Sequence, residues 1–154
     1  MNQGFRIVGI SGRDWHCVGK EGGKRAPKTF VYADSASEYG ILEGLRRGHV
    51  FVSSGPRLFF TAEHKKEKYG CGDEIKLTEK RPVSFRIRIE NTEAPYELQV
   101  IKNGLKFFAT SSAEDRIITI SDLPQRDSWY RCEIYTKGYK ELLCFTNPIS
   151  VKLS

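Results

Sequence analysis

Residues 83–89 read VSFRIRI, a strict alternation of apolar and polar side chains. Valine, phenylalanine and isoleucine occupy the odd positions, and serine and arginine occupy the even positions. Because successive side chains of a β-strand point to opposite faces of a sheet, this period predicts a strand with one face in a core and the other in solvent. The stretch therefore predicts a sheet with one buried and one wet face.

Further short strands, separated by turn residues, are predicted on both sides of this stretch. Asn103-Gly104 lies between two of them and predicts a hairpin closed by a type I′ turn. The predicted strands are 58–63, 83–90, 96–102, 105–110, 116–120, 129–135, 141–145 and 149–153. Strands at this spacing indicate an immunoglobulin-like β-sandwich. Tyr130 followed by Cys132 resembles the tyrosine corner of that fold, which implies a bond from the Tyr130 hydroxyl to nearby backbone. The alternative is an ordinary core strand.

Residues 1–56 differ in pattern from residues 57–154, and we place a domain boundary at the turn-forming pair Gly55-Pro56. The first part predicts a short α/β segment in the order strand, loop, strand, helix, strand. Ser35 with Glu38 predicts a capping box at the start of the helix, and Gly48 is a suitable residue to end it. The apolar stripe of this helix consists of Ile41, Leu42 and Leu45. We expect this stripe to fold back onto the sandwich or to mediate self-association.

Asp14 and His16 follow the apolar run 5–10, which predicts a buried strand that delivers both residues into a loop. Two residues apart on an extended backbone, their side chains point to the same face. Carboxylate oxygen and imidazole nitrogen both suit Zn, Mn or Fe. A catalytic metal usually takes at least three protein ligands, so the pair predicts only part of a metal site. The alternative is that His16 caps a loop and Asp14 bonds backbone amides.

Four blocks that follow Asp14 and His16 resemble, in order and spacing, the closing segment of the PHP-domain metallohydrolases, especially their CehA/McbA-like branch. The blocks are KTFVYA at 28–33, SASE at 35–38, ILEGLRRG at 41–48 and VFVSSGP at 50–56. The resemblance implies the C-terminal portion of a metal-dependent phosphoesterase, with Asp14 and His16 as ligands of a Zn, Mn or Fe centre. It also implies that the missing N-terminal barrel half must complete the site, and that the chain alone is inactive.

The loop after His16 is rich in glycine and basic residues, and the whole chain has a net charge of +6 and a pI near 9.2. On the phosphoesterase hypothesis, Lys24, Arg25 and Lys28 contact the phosphate of an anionic phosphoester substrate. The alternative is a solvated loop. Nucleic-acid binding is disfavoured, because aromatic residues are not interleaved with the basic ones on any predicted strand.

The four cysteines lie at long, irregular spacings without a Cys-x-x-Cys unit. This pattern disfavours a structural zinc site and favours small buried side chains in a reducing compartment, so we expect a cytoplasmic location. No apolar stretch is long enough to span a bilayer, and no membrane partner is expected. A second function remains open: a non-catalytic accessory β-sandwich that binds protein or carbohydrate. That function predicts an exposed aromatic patch on the sandwich.

Overall fold

The computed structural model describes residues 7–12 and 26–154, which form a two-sheet β-sandwich with one helix. The elements are β1 (Lys28–Val31), α1 (Glu38–Arg47), β2 (Val50–Ser53), β3 (Arg57–His64), β4 (Glu67–Gly70), β5 (Glu74–Leu77), β6 (Val83–Glu90), β7 (Tyr96–Lys102), β8 (Leu105–Ser112), β9 (Arg116–Asp122), β10 (Ser128–Thr136), β11 (Leu142–Thr146) and β12 (Ile149–Leu153). The predicted fold class, mainly β with the strands arranged as a sandwich, is confirmed. The strands of the predicted α/β segment, β1 and β2, belong to the large sheet.

The strands divide into a small sheet and a large sheet. The small sheet has the order β4-β3-β6-β9. In the large sheet, β8 pairs with β7 and β7 pairs with β10. The other side of β10 is shared by β12 and β11, and β11 continues to β2 and β1. All these pairs are antiparallel, whereas β5 joins β12 in parallel.

The core lies between the two sheets, and the alternation in β6 supplies its centre. Val83, Phe85, Ile87 and Ile89 are all buried, whereas Arg86 and Arg88 of the same strand are exposed. The residues opposite them in the large sheet are Leu98, Val100, Tyr130, Cys132 and Ile134. Fully burying one such apolar side chain contributes about 1.5–3 kcal/mol, so this face of β6 is a main source of stability.

The helix begins at Glu38 because Ser37, rather than the expected Ser35, is its N-cap: the Ser37 hydroxyl accepts a hydrogen bond from the Gly40 amide at 3.0 Å. Gly48 ends the helix in a left-handed conformation with a φ of 78°, as predicted. Of the apolar stripe, Leu45 is half-buried while Ile41 and Leu42 remain exposed, so the stripe does not fold fully back onto the sandwich.

A glycine brings the helix to the sheet instead. A Cβ atom added to Gly44 would lie 2.6 Å from the carbonyl oxygen of Tyr32 and 2.6 Å from Val31 Cγ1. The helix therefore approaches β1 more closely than any side chain at this position would permit.

Three local predictions differ from the structure. The described part of the first predicted strand, residues 7–10, forms no strand. Strand β4 is absent from the predicted strands; it forms a hairpin with β3 that turns at Lys65 and Lys66, with φ values of 51° and 68°. Such a turn normally carries Asn or Gly, so the sequence signal was absent. The Tyr130 hydroxyl donates to the side-chain carboxylate of Asp122, not to backbone.

The cysteines that the structure describes, Cys71, Cys132 and Cys144, are free and buried. Burial raises the pKa of the Cys71 thiol to about 12, so this thiol is un-ionised at neutral pH. These side chains pack as small hydrophobic groups, as predicted. Cys17 lies outside the described residues.

Candidate binding surface

Most of the predicted site residues, namely Asp14, His16, Lys24 and Arg25, lie outside the residues that the structure describes. Lys28 is described, and it is the exposed first residue of β1. Within residues 7–12 and 26–154, no three His, Cys, Asp or Glu side chains are grouped so as to hold a metal ion. The metal and phosphate roles of these residues, and the Zn, Mn or Fe cofactor, stay predictions.

His49 and Asp73 form a contact that the sequence did not reveal, because 24 positions separate them. Their side chains meet at 2.8 Å between His49 Nε2 and Asp73 Oδ1. The second carboxylate oxygen of Asp73 accepts a hydrogen bond from the Gly70 amide at 2.6 Å. The pair ties the end of α1 to the turn between β4 and β5.

One side of the sandwich, where β1 and β2 meet β3, is filled by aromatic rings; we call it the closed edge. Phe30 and Phe51 stack with their ring centroids 4.7 Å apart and their planes 4° apart. Phe59 lies 6.0 Å from Phe51, and the Arg88 guanidinium covers the Phe59 ring at 4.0 Å. Tyr32 completes the group, and burial raises the pKa of its hydroxyl.

The opposite side consists of β8 and β9, and we call it the open edge. Among the described strands, β8 pairs only with β7 and β9 only with β6. The stretches 108–112 and 117–121 contain no charged residue, proline or glycine. Natural sheet edges are usually protected from further pairing by charges, proline, bulges or a covering element. These two stretches lack charged residues and proline.

Large apolar side chains of the open edge are exposed. Leu105 is 73% exposed, Phe107 is 37% exposed and Ile117 is 56% exposed. Phe107 owes its position to a β-bulge: Val100 is opposite Phe108 and Ile101 is opposite Lys106, so Phe107 is the extra residue.

Basic side chains surround the start of β8, and we call this depression the basic notch. It encloses about 290 Å³ and is lined by Lys102, Asn103, Leu105, Lys106, Phe107, Gln125 and Arg126. Apolar side chains and cations therefore meet in one place, at the end of the open edge where β8 begins.

The wall of the basic notch is fixed by a charge cluster around Asp122. Lys102 Nζ lies 2.5 Å from Asp122 Oδ2, and the Tyr130 hydroxyl donates to the same oxygen. Burial raises the pKa of Asp122, but the hydrogen bonds from Lys102 and Tyr130 outweigh burial, so the pKa lies below its ordinary value. The charge of Lys102 is thereby balanced inside the protein. Among the described residues, Lys106 and Arg126 make no ion pair.

The exposed aromatic residues do not form a single platform. Tyr39 lies on the helix, Tyr32 follows β1, Phe107 lies at the open edge and Tyr139 lies in the turn between β10 and β11. On the outer face of β10, Trp129 and Tyr135 are only half exposed, and Tyr135 contacts Tyr139 with ring centroids 5.4 Å apart and planes tilted by 57°. Flat stacking surfaces suit sugar rings, so this distribution favours a protein ligand over a carbohydrate.

No protein-family model matches the chain, and no curated protein is similar to it. Among solved structures, the chain is similar to the solution NMR structure of a CARDB domain from Pyrococcus furiosus. The two share 14% sequence identity over 65% of this chain and 98% of that chain, with a TM-score of 0.37. A similarity this weak does not indicate a function, so the function must be inferred from the surface of the protein itself.

The resemblance to PHP-domain metallohydrolases is wrong. No family model supports it, and of the four blocks that suggested it, two form β1 and β2 of the sandwich and two form the start and body of α1. Phe51 of β2 is opposite Thr146 of β11, and Phe30 of β1 is opposite Phe51. The boundary placed at residue 56 therefore separates strands of one sheet, and the independence of the two parts stays a prediction.

Proposed function

We propose that the chain is a non-catalytic β-sandwich module that binds a partner protein through its open edge. The observation that carries this proposal is the exposure of Leu105, Phe107 and Ile117 on two edge strands that have no further partner among the described strands. Contiguous exposed apolar patches rimmed by polar residues mark interaction sites, and Leu105 and Phe107 lie together in the basic notch.

The size of the expected contribution supports this assignment. Burying an exposed leucine or phenylalanine contributes about 1.5–3 kcal/mol, and a few such residues dominate the affinity of most interfaces. Leu105 and Phe107 lie together in the basic notch. Together they supply a compact anchoring point for a partner side chain.

A second apolar patch lies on α1, where Ile41 and Leu42 are exposed. Helical patches suit contacts between folded surfaces, and self-association through this patch stays a prediction. The open edge is the better candidate for a binding surface than this helical patch, because unpaired backbone groups and apolar side chains occur there together.

Within residues 7–12 and 26–154, no helix is both long and apolar enough to cross a membrane. The cytoplasmic location expected from the cysteines stays a prediction.

The test is a selection of binding peptides from a random displayed library on the immobilised 154-residue protein. Selected peptides are then measured against the wild type and the double variant Leu105→Ser/Phe107→Ser. We expect the double variant to bind more than tenfold more weakly, a loss of more than about 1.4 kcal/mol. Circular dichroism verifies that the variant is folded.

The matched control is Leu142→Ser/Tyr139→Ser, since Leu142 is 43% exposed, Tyr139 is 41% exposed, and neither residue lines the basic notch. This control is expected to bind as the wild type does. Failure to enrich any peptide, or equal binding by the wild type and the open-edge variant, would contradict the proposal.

A further inference from the structure

Building on the proposed function, we infer that the partner segment is an acidic, apolar peptide that binds in extended conformation as an additional strand beside β8. The inference names the chemistry of the partner and its place on the open edge, and it rests on three features of the described residues.

The first feature is the backbone of β8. Residues 108–112 pair regularly with β7, from Phe108 opposite Val100 to Ser112 opposite Tyr96. On an edge strand, alternate residues direct their N–H and C=O groups away from the sheet. This five-residue stretch carries small or apolar side chains without a charge, so an added strand meets no electrostatic obstacle there.

The second feature is the basic notch at the start of β8. Leu105 and Phe107 provide its apolar surface, while Lys106 and Arg126 provide two cations that have no ion pair among the described residues. Lys102, by contrast, is already paired with Asp122. A carboxylate of the partner is therefore expected at Lys106 and Arg126, beside an apolar side chain that covers Leu105.

The third feature is charge at the scale of the whole chain. A net charge of +6 accelerates encounter with acidic partners and opposes encounter with a second copy. The sequence of β8, LKFFATSS, has one lysine and no acidic residue, so β8 of a second copy lacks the required carboxylate. An acidic segment of another protein is thus the occupant that complements the site.

The experiment uses three synthetic peptides, in which valine alternates with glutamate, glutamine or lysine. Binding to the full chain is measured by fluorescence anisotropy at about 0.05 M and about 0.5 M salt, because exposed charges are screened at the higher value. We expect the glutamate peptide to bind at least about tenfold more tightly than the glutamine peptide at low salt. The lysine peptide is not expected to bind.

Two variants decide the residues involved. Lys106→Glu/Arg126→Glu is expected to lose binding of the glutamate peptide and to bind the lysine peptide instead. The matched control, Lys68→Glu/Lys80→Glu, makes the same change in net charge at residues that do not line the basic notch, and it is expected to keep the preference for glutamate. Backbone N-methylation of every residue of the glutamate peptide is expected to abolish binding, because it removes all the donors that a strand needs, whichever alternate set faces β8.

The outcomes separate this inference from the proposed function. If library peptides bind through Leu105 and Phe107 but show no acidic preference and no response to Lys106→Glu/Arg126→Glu, the proposed function stands and the acidic strand is wrong. Full binding of the N-methylated peptide would overturn strand addition. A wild-type dimer in sedimentation that Lys106→Glu/Arg126→Glu dissociates would show that a second copy occupies the site instead.

Discussion

The two edges of the sandwich are finished in different ways. At the closed edge, Phe51 lies in the core and stacks on Phe30, Phe59 packs beside them from the outer face of β3, and β1 and β2 extend the large sheet beyond β11. At the open edge, the outermost strands carry small or polar side chains at most positions, and Phe107 alone reaches the ring of Tyr130, 6.0 Å away. Phe108, Ile118 and Ile120 of the open edge also pack against the core, so the two edges differ in the apolar surface they leave exposed rather than in whether the space between the sheets is filled.

The two edges differ in whether their apolar side chains stabilise the fold or are available to contact a partner. Phe51 is 3% exposed and contacts other rings on several sides, whereas Phe107 is 37% exposed. Among the side chains of the closed edge, Phe51 has lost its contact with water in the folded protein, Phe30 and Phe59 are partly buried, and Tyr32 is 37% exposed. Those of the open edge still have apolar surface that a partner can cover.

The largest expected effect is at the closed edge. Phe51→Ala removes a buried ring and leaves a cavity, so we expect the free energy of unfolding to fall by about 3–5 kcal/mol. Urea denaturation followed by tryptophan fluorescence measures this loss. A decrease in the free energy of unfolding of less than about 1 kcal/mol would mean that the aromatic cluster does not stabilise this edge.

The next largest loss of stability is expected where helix α1 contacts the sheet. Gly44→Ala places a methyl group 2.6 Å from the Tyr32 carbonyl oxygen, and such overpacking costs about 1–3 kcal/mol. Gly55→Ala is the matched control, since an added Cβ there meets no atom within 4 Å. Thermal unfolding of both variants compares them directly, and equal melting temperatures would disprove the close approach of α1 to β1.

The charge cluster beneath the basic notch gives a pH-dependent effect. Because the folded-state pKa of Asp122 lies below its unfolded value, the carboxylate stabilises the protein fully above about pH 4, and this contribution is lost as the pH falls through the folded-state pKa. We expect Asp122→Asn to cost about 1–2 kcal/mol at pH 7. The difference in free energy of unfolding between Asp122→Asn and the wild type, measured by urea titration, should become smaller near pH 3. Asp34→Asn, an exposed position, serves as the control, and a gap that stays constant with pH would count against the cluster.

The smallest effect on stability is expected at the open edge. Leu105→Ser changes a side chain that is 73% exposed, so the free energy of unfolding should change by no more than about 0.5 kcal/mol. The same variant should weaken binding of selected peptides. A large loss of stability with unchanged binding would reverse the contrast between the two edges.

Local patterns predicted much of the fold. The bounds of β6, β7 and β12 agree with the predicted strands, because alternation over several residues is a property of the strand itself. Asn103-Gly104 turns with φ values of 50° and 85°, as its type I′ signal indicated. The hairpin at Lys65 and Lys66 was missed, since lysine gives no such signal.

The candidate site was not predictable in the same way. The sequence directed attention to Asp14, His16, Lys24, Arg25 and Lys28, whereas the open edge depends on which strands lie at the margins of the two sheets. Leu105 and Arg126 are 21 positions apart, and no local pattern relates them. The helix likewise packs through Gly44 rather than through its apolar stripe, which only the neighbouring β1 decides.

The sequence by itself determined the class of fold, the main strands and the end of the helix at Gly48, because each depends on contacts between residues close along the chain. The tertiary structure alone decided that Phe30, Phe51 and Phe59 close one edge and that Leu105, Phe107 and Lys106 stay available at the other. The physical reason is that burial is a property of the assembled sheets: an apolar residue in a strand is core or surface according to what lies opposite it.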